Sequence, residues 1–168
     1  MSWDSDKTIG GATVSGSEWN TMVGVINSKI STIFPITLTI PSTHGSYYGS
    51  IGTFTSGEST ILGDVLYYKS DGKLWKTDAD AVATSKGMLL MSIGTTTSSA
   101  SASYLYSGLI ANSSWAFAVG DTLYLSTSSG LLQSSVVTGS SDVVRIAGYA
   151  LSSSVVYFNP DDTYVELT

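Results

Sequence analysis

The 168-residue sequence contains no cysteine and only one histidine, His44. Without cysteine the chain has no disulfide framework and no thiolate chemistry, so its stability must come from packing, strand pairing or other subunits. A Ser-His-Asp hydrolase would have to use His44, which lies among glycine and serine residues, and the sequence has no nucleophile elbow. These absences argue against nucleophilic catalysis.

Sequence motifs for cofactors and metals are also missing. There is no Gly-x-Gly-x-x-Gly run and no Gly-Lys-Ser/Thr run to cradle a phosphate. Two acidic pairs, Asp78 with Asp80 and Asp161 with Asp162, offer carboxylates for acid–base chemistry or for calcium, but no EF-hand pattern surrounds them, and we interpret both as solvated turns. We therefore predict that the protein is not an enzyme and has no cofactor, metal or catalytic residue.

Charged residues make up only 12% of the sequence, and the formal net charge is −6. The basic residues are scattered singly, so a polyanion finds no basic patch and we expect no nucleic-acid partner. The apolar runs are far shorter than the roughly 20 residues needed to span a bilayer, so we expect no membrane segment. Residues 1–7 are polar and lack the pattern of a secretory signal, which predicts synthesis in a cytoplasm.

What the sequence does contain is enough hydrophobic residues, 42%, for a packed core, and an amphipathic pattern near its start. Ser15-Gly16-Ser17-Glu18 supplies helix-capping hydroxyls and an early acidic residue, so we predict a helix that begins there. Apolar residues then follow at intervals of four, three, four and three, which is the spacing of a heptad seam. They are Trp19, Val23, Ile26, Ile30 and Ile33.

This seam predicts self-association. Isoleucine at both core positions favours three strands over two, so the predicted assembly is a homotrimer with a short coiled coil. The alternative is an ordinary amphipathic helix that packs on the chain's own β domain, and the periodicity of one helix does not separate the two. Two heptads are marginal alone, so in a trimer the β domain would have to share the contact.

The character of the chain changes at Pro35, where a helix must stop. Residues 36–40 (ITLTI) alternate apolar and hydroxyl side chains and are predicted to be a strand, whereas residues 42–60 show no periodicity and are predicted to be an exposed linker or loop. The predicted organisation is an anchoring and oligomerisation helix at 1–34, a strand and linker at 35–60, and a β domain at 61–168.

Short strands separated by turns dominate the third segment. Asp71-Gly72 predicts a hairpin turn between Val65–Tyr68 and Leu74–Lys76. The run GDVLY at 63–67 is echoed by GDTLY at 120–124, which suggests two related hairpin units that close one barrel; the alternative is that Gly-Asp before a strand is common turn chemistry. The fold class predicted is mainly β, with an N-terminal α-helix followed by an antiparallel β-barrel or β-sandwich.

Aromatic residues are numerous, with ten tyrosines and four tryptophans. Most are expected to pack in the core or on strand faces, and Trp115 and Phe117 are predicted to share one face of a strand. Tyrosines in loops are candidates for contact residues, because aromatic side chains dominate interfaces. The contact candidates are Tyr47 and Tyr48, in the predicted loop, and Tyr104 and Tyr106, in a segment with strand character.

Four runs in the second half of the chain carry a resemblance to a known group of proteins. They are residues 87–90 (GMLL), 120–127 (GDTLYLST), 142–151 (DVVRIAGYAL) and 157–167 (YFNPDDTYVEL). This half of the chain resembles a β domain that recurs in structural proteins of tailed bacteriophages, and Ser17-Glu18-Trp19-Asn20 is similar to the short attachment helices of phage fibres. The resemblance implies a virion component with an architectural role.

The chain lacks the long repetitive shaft of many tail fibres, which favours a compact protein. We therefore expect a homotrimeric capsid decoration protein, of the cement or head-fibre kind, that is located in the virion and attached to the major capsid protein or another virion protein. The alternative is a tail-fibre or receptor-binding tip protein whose exposed tyrosines bind host surface glycans. A carbohydrate-active enzyme is the third and weakest hypothesis.

Overall fold

The computed structural model describes residues 7–9, 12–15, 17, 18, 20–23, 25 and 40–168. Residues 40–168 form one compact unit, and the described residues before position 40 belong to another, so the two are considered separately. The fold is mainly β, as predicted, and its largest element is a curled antiparallel sheet.

In the N-terminal unit, β1 (Lys7–Ile9) pairs antiparallel with β2 (Ala12–Val14). The backbone is helical at positions 17, 18, 20–23 and 25. Ser15 and Glu18 form a capping box: the Glu18 carboxylate accepts from the Ser15 N–H at 2.9 Å, and the Ser15 hydroxyl accepts from the Glu18 N–H at 3.2 Å. The Ser15 hydroxyl also donates to the Glu18 carboxylate at 2.8 Å, and the bond from the Ser15 N–H together with this one lowers the pKa of Glu18. Ser15 and Glu18 thus form the reciprocal hydrogen bonds of a helix N-terminus.

The remaining N-terminal predictions lie largely outside the described residues. Trp19, Ile26, Ile30 and Ile33 are among those positions, as are Pro35 and residues 36–39. Of the predicted seam, the structure describes Val23, whose side chain is exposed.

The main unit contains eleven strands and one short helix. They are β3 (Tyr47–Thr55), β4 (Val65–Tyr68), β5 (Leu74–Lys76), α1 (Val82–Ser85), β6 (Leu89–Ser92), β7 (Ser101–Ala111), β8 (Thr122–Leu125), β9 (Leu132–Gln133), β10 (Val143–Val144), β11 (Ile146–Ala150), β12 (Val155–Phe158) and β13 (Val165–Glu166). The main sheet has the order β5-β4-β6-β7-β12-β11-β8-β9, with β3 also paired to β7, while β10 and β13 form a separate pair.

The pairing order repeats within the main unit. In the first half β4 pairs with β5 and β6, and β6 pairs with β7. In the second half β8 pairs with β9 and β11, and β11 pairs with β12. The predicted hairpin around Asp71-Gly72 is confirmed as β4–β5, and the two hairpin units inferred from the Gly-Asp echo have the same pairing pattern.

Backbone hydrogen bonds also join the two halves, so the sheet curls. The Val65 N–H donates to the Gly130 carbonyl at 2.8 Å, and the Ala79 N–H donates to the Ser126 carbonyl at 3.0 Å. The Val143 N–H donates to the Ala79 carbonyl at 2.6 Å. These bonds draw β4 and the segment after β5 toward the end of β8, giving a half-barrel.

The prediction that residues 42–60 form a loop is wrong for Tyr47–Thr55. They form β3, which runs antiparallel to β7 along its whole length. Most of β3 is exposed, so the segment carries no alternation of buried and exposed side chains for sequence reasoning to detect. Gly49 and Gly108 face each other, and a Cβ at Gly108 would overlap the Tyr48 carbonyl, so the two strands approach closely only because both positions lack a side chain.

The core consists of two clusters on opposite faces of the curled sheet, because they take alternate residues of β4, β6 and β7. The larger one contains aliphatic residues of β6, β7, β8, β11 and β12 together with Phe158, and the smaller one contains Leu66, Leu74, Leu90 and Tyr104. Arg145, between β10 and β11, is also fully buried. Its guanidinium donates to the carbonyls of Asp161, Ser85 and Gly87 at 2.7, 2.7 and 2.9 Å, and it thereby ties the C-terminal segment to the end of α1.

Candidate functional site

A cleft of about 510 Å³ opens on the surface of the main unit. Its walls come from five separate parts of the sequence: His44, residues 61–64, Thr95, residues 112 and 114–117, and residues 131–132. The volume falls within the range of about 300–1,000 Å³ that small-molecule sites occupy.

Asn112 holds one wall of the cleft in place. Its buried side-chain amide donates to the Leu62 carbonyl at 3.1 Å, and its side-chain oxygen accepts from the Ser114 N–H at 3.0 Å. Its backbone N–H donates to the Ser154 carbonyl at 2.8 Å. Because a buried amide with satisfied partners rigidifies its surroundings, the segment after β7 is fixed against residues 61–64.

Trp115 and Phe117 supply the aromatic surface of the cleft. Both rings are half-buried, and their centroids lie 5.9 Å apart with a 42° angle between the planes. The indole edge of Trp115 lies against Gly63, where an added Cβ would be only 2.8 Å from Cζ2. A side chain at position 63 would therefore displace the tryptophan.

His44 lies at the rim of the cleft. Its Nδ1 accepts from the Ser113 N–H at 3.1 Å and lies 3.0 Å from the Ser113 hydroxyl. Since Nδ1 accepts from a backbone N–H, the neutral ring carries its proton on Nε2. His44 therefore offers a ring N–H donor.

Asp64 is the one carboxylate in the lining, and its charge is already matched. It is buried, its Oδ2 accepts from the Ile61 N–H at 2.9 Å, and the same oxygen lies 3.1 Å from Lys76 Nζ. The lining contains no lysine or arginine. The cleft thus presents an aromatic and hydroxyl-bearing surface without an unpaired carboxylate or ammonium group.

The four tyrosines predicted as contact residues do not form one site. Tyr47 and Tyr48 lie on β3 rather than in a loop; Tyr47 is half-buried, and Tyr48 is 48% exposed. Tyr106 is half-buried, with its ring 5.7 Å from that of Phe54. Tyr104 is fully buried and its hydroxyl has no hydrogen-bond partner, which corrects the contact prediction at that position, because a buried ring cannot reach a ligand.

The exposed surface near Tyr48 is a strand edge. Tyr48, Gly49, Ser50 and Ile51 are all exposed, and β7 is the strand to which β3 is paired among the described residues. No aspartate, glutamate, lysine or arginine occurs between positions 40 and 57. The edge of β3 is therefore long, uncharged and accessible.

The acidic pairs are turns, as interpreted from the sequence. Asp78 accepts from the Asp80 N–H at 3.3 Å, and Asp161 accepts from the Thr163 N–H at 2.9 Å. Burial, together with the negative charges of Asp80 and Asp142, raises the pKa of Asp78. Among the residues that the structure describes, no three His, Cys, Asp or Glu side chains cluster as metal ligands would.

Sequence reasoning missed the cleft. Trp115 and Phe117 were predicted to lie on a strand, but the segment from Asn112 to Asp121 is irregular and follows the end of β7. The one available signal was the Asn-Ser-Ser turn at 112–114, which indicates a local change of direction but not which residues the turn faces.

Within the residues that the structure describes, none of the helices has the length and apolar character needed to cross a membrane. No family model matches the chain, and no curated protein matches its sequence.

Proposed function

We propose that the protein is a homotrimeric structural component of a bacteriophage virion. Its role is that of a capsid decoration protein, of the cement or head-fibre kind, bound to the major capsid protein or another virion protein. The resemblance of the second half of the chain to phage structural β domains supports the virion assignment, and the mainly β architecture agrees with it.

The observation that carries the assembly part of the proposal is the edge of β3. Soluble proteins guard long edge strands with charged residues, proline or bulges, because an open edge recruits further strands. The exposed stretch from Tyr48 to Ile51 has neither charge nor proline, and Ile51 is 46% exposed. The register with β7 shifts between Ser50 and Ile51, but the extra residue, Tyr106, is on β7 and not on the open edge of β3. Copies that each carry a net charge of −6 meet with least repulsion where the surface is uncharged.

The described N-terminal residues add apolar surface of the same kind. Met22, Val23 and Val25 have helical backbone and exposed side chains. Burial of these side chains against a second copy would stabilise the assembly. Because two heptads alone are marginal, a trimer would use both this surface and the β3 edge.

Sedimentation velocity on the full chain at micromolar concentration tests the assembly. We expect a species of three times the 17.6 kDa chain mass. Ser50→Lys places a charge on the β3 edge and should shift the distribution toward monomer, whereas Ser70→Lys, at the exposed tip of the β4–β5 turn, should leave it unchanged. A folded monomer for the unmodified chain would refute the homotrimer.

The position in the particle needs a separate measurement. Quantitative mass spectrometry of purified virions should find the chain in hundreds of copies if it decorates the capsid, and in tens or fewer if it belongs to a fibre. Its absence from virions would refute the virion assignment.

The second candidate function is a tail-fibre or receptor-binding tip that recognises host surface glycans. The cleft lined by Trp115 and Phe117 favours this candidate, because aromatic rings can stack on a sugar ring while neighbouring hydroxyl groups form hydrogen bonds to it. Purified protein that binds host cells and blocks infection would support this candidate over decoration.

A further inference from the structure

The cleft beside Trp115 has no part in trimer formation or capsid attachment as proposed above. We propose that it binds one neutral pyranose sugar, with the ring of the sugar stacked on the indole. This inference deepens the receptor-binding candidate and does not require the homotrimer.

The aromatic wall supplies the apolar half of the recognition. One face of a pyranose presents C–H groups with partial positive charge, and the face of an aromatic ring is negative, so the two attract when stacked. Trp115 is held by Gly63 and by the turn at Asn112, which means that little ordering is needed on binding. Its indole N–H donates to no acceptor among the described residues and remains available to a sugar hydroxyl.

Hydroxyl and imidazole groups supply the polar half. Thr95 and Ser114 line the cleft and are exposed, and their hydroxyls form no hydrogen bond within the described residues. The ring N–H of His44 is a further donor at the rim. A sugar has hydroxyls on several sides of its ring, so it can form hydrogen bonds to Thr95, Ser114 and His44 at the same time.

The charge of the cleft selects against acidic sugars. Asp64 is paired with Lys76, and the lining has no cation to bind a carboxylate, sulfate or phosphate. The chain as a whole is acidic, so a negatively charged ligand is also disfavoured at longer range. The chemistry therefore points to a neutral hexose or N-acetylhexosamine.

The test uses the full chain labelled with ¹⁵N, with the indole N–H signals as the readout. The probes are the methyl glycosides of glucose, galactose, mannose and N-acetylglucosamine, with N-acetylneuraminic acid as the acidic probe, each titrated to about 50 mM. We expect at least one neutral glycoside to shift the Trp115 signal with a millimolar Kd, and N-acetylneuraminic acid to bind about tenfold more weakly or not at all.

Variants locate the site. Trp115→Ala should weaken binding about tenfold or more, whereas Trp75→Ala should not change it, because the Trp75 indole donates to Asp71 at 3.0 Å and lies outside the cleft. If Trp115→Ala fails to fold, Thr95→Ala combined with Ser114→Ala alters only exposed side chains and should also reduce affinity. Ser50→Lys should retain sugar binding, so failure of the homotrimer leaves the sugar site intact.

Three outcomes would overturn the inference. The first is that no neutral glycoside moves the Trp115 signal, and the second is that a folded Trp115→Ala binds as tightly as the unmodified chain. The third is that N-acetylneuraminic acid binds as tightly as the best neutral glycoside, since the cleft would then not be selective for uncharged sugars.

Discussion

Replacing Arg145 with methionine should strongly destabilise the main unit. The guanidinium is fully buried and forms hydrogen bonds to three backbone carbonyls, those of Asp161, Ser85 and Gly87, at 2.7–2.9 Å. Methionine is of similar length, so it retains much of the packing but removes all three donors. The change thus isolates the hydrogen bonds from side-chain volume.

The size of the effect follows from two opposing contributions. A hydrogen bond from a charged donor contributes about 1.5–3 kcal/mol, so losing three would cost about 4.5–9 kcal/mol if nothing compensated. The opposing contribution is hydration: when the unmodified chain unfolds, its guanidinium returns to water, which stabilises the unfolded state. The methionine variant lacks this contribution, so its net loss of stability is smaller. We expect a net loss of about 3–5 kcal/mol in the free energy of unfolding, because three carbonyls lose their donor and each unsatisfied buried acceptor costs about 1–3 kcal/mol.

Equilibrium urea unfolding followed by circular dichroism measures this loss. Arg145→Lys keeps the charge but cannot reach three carbonyls in a planar fork, so it should fall between the methionine variant and the unmodified chain. Lys86→Met, an exposed lysine beside α1, is the matched control and should change stability by no more than about 0.5 kcal/mol. The reasoning fails if Arg145→Met stays within about 1 kcal/mol of the unmodified chain.

Three further substitutions test other parts of the structure. Tyr104→Phe removes a buried hydroxyl that has no partner, so unfolding free energy should stay constant or rise by up to about 1 kcal/mol in urea titrations; a clear loss would mean that the hydroxyl is satisfied. Gly108→Ala should cost about 1–3 kcal/mol by pushing β3 away from β7, while Gly94→Ala, which has open space around its Cβ, should have little effect. Burial and nearby carboxylates raise the pKa of Asp78 in the folded state. The folded state therefore loses stability as pH rises from the ordinary pKa of an aspartate to this raised pKa. Asp78→Asn should therefore raise Tm at pH 7 and leave it unchanged below about pH 3, and a lower Tm at pH 7 would contradict this.

Local turn chemistry made part of the fold predictable. Asp71-Gly72 fixes the β4–β5 hairpin, and Gly-Asp precedes both β4 and β8. At both places the aspartate accepts from the N–H three residues earlier, Ile61 or Ala118, at 2.9 Å. The residue before each aspartate has a positive φ, which glycine adopts without strain.

A third copy of this turn escaped sequence reasoning. Gly139 donates to Asp142 at 2.7 Å just before β10, and the position with positive φ is filled by Ser141 instead of glycine. The Gly-Asp signature is therefore absent at this turn, although the hydrogen bond to the aspartate is present. The aspartate side chain, and not the glycine, closes the turn.

The cleft and β3 depended on contacts that are distant in the sequence. His44 meets Ser113 across 69 positions, and Asn112 meets Leu62 across 50. No local pattern encodes such distances, so periodicity and turn signals cannot bring these residues together. β3 was missed for a related reason: its structure depends on β7, which follows it by about fifty residues, and its own side chains are mostly exposed.

The absence of charge along β3 also affects how the protein must be produced. An uncharged edge does not exclude other exposed strands. Two β3 edges that pair with each other form a closed dimer, whereas β3 paired with a different strand edge of the next copy leaves another edge open for a further chain. Chains made in excess would then stack into open-ended fibres unless another part of the molecule closes the ring. The amount of chain synthesised would therefore need to match the supply of the partner that covers this edge.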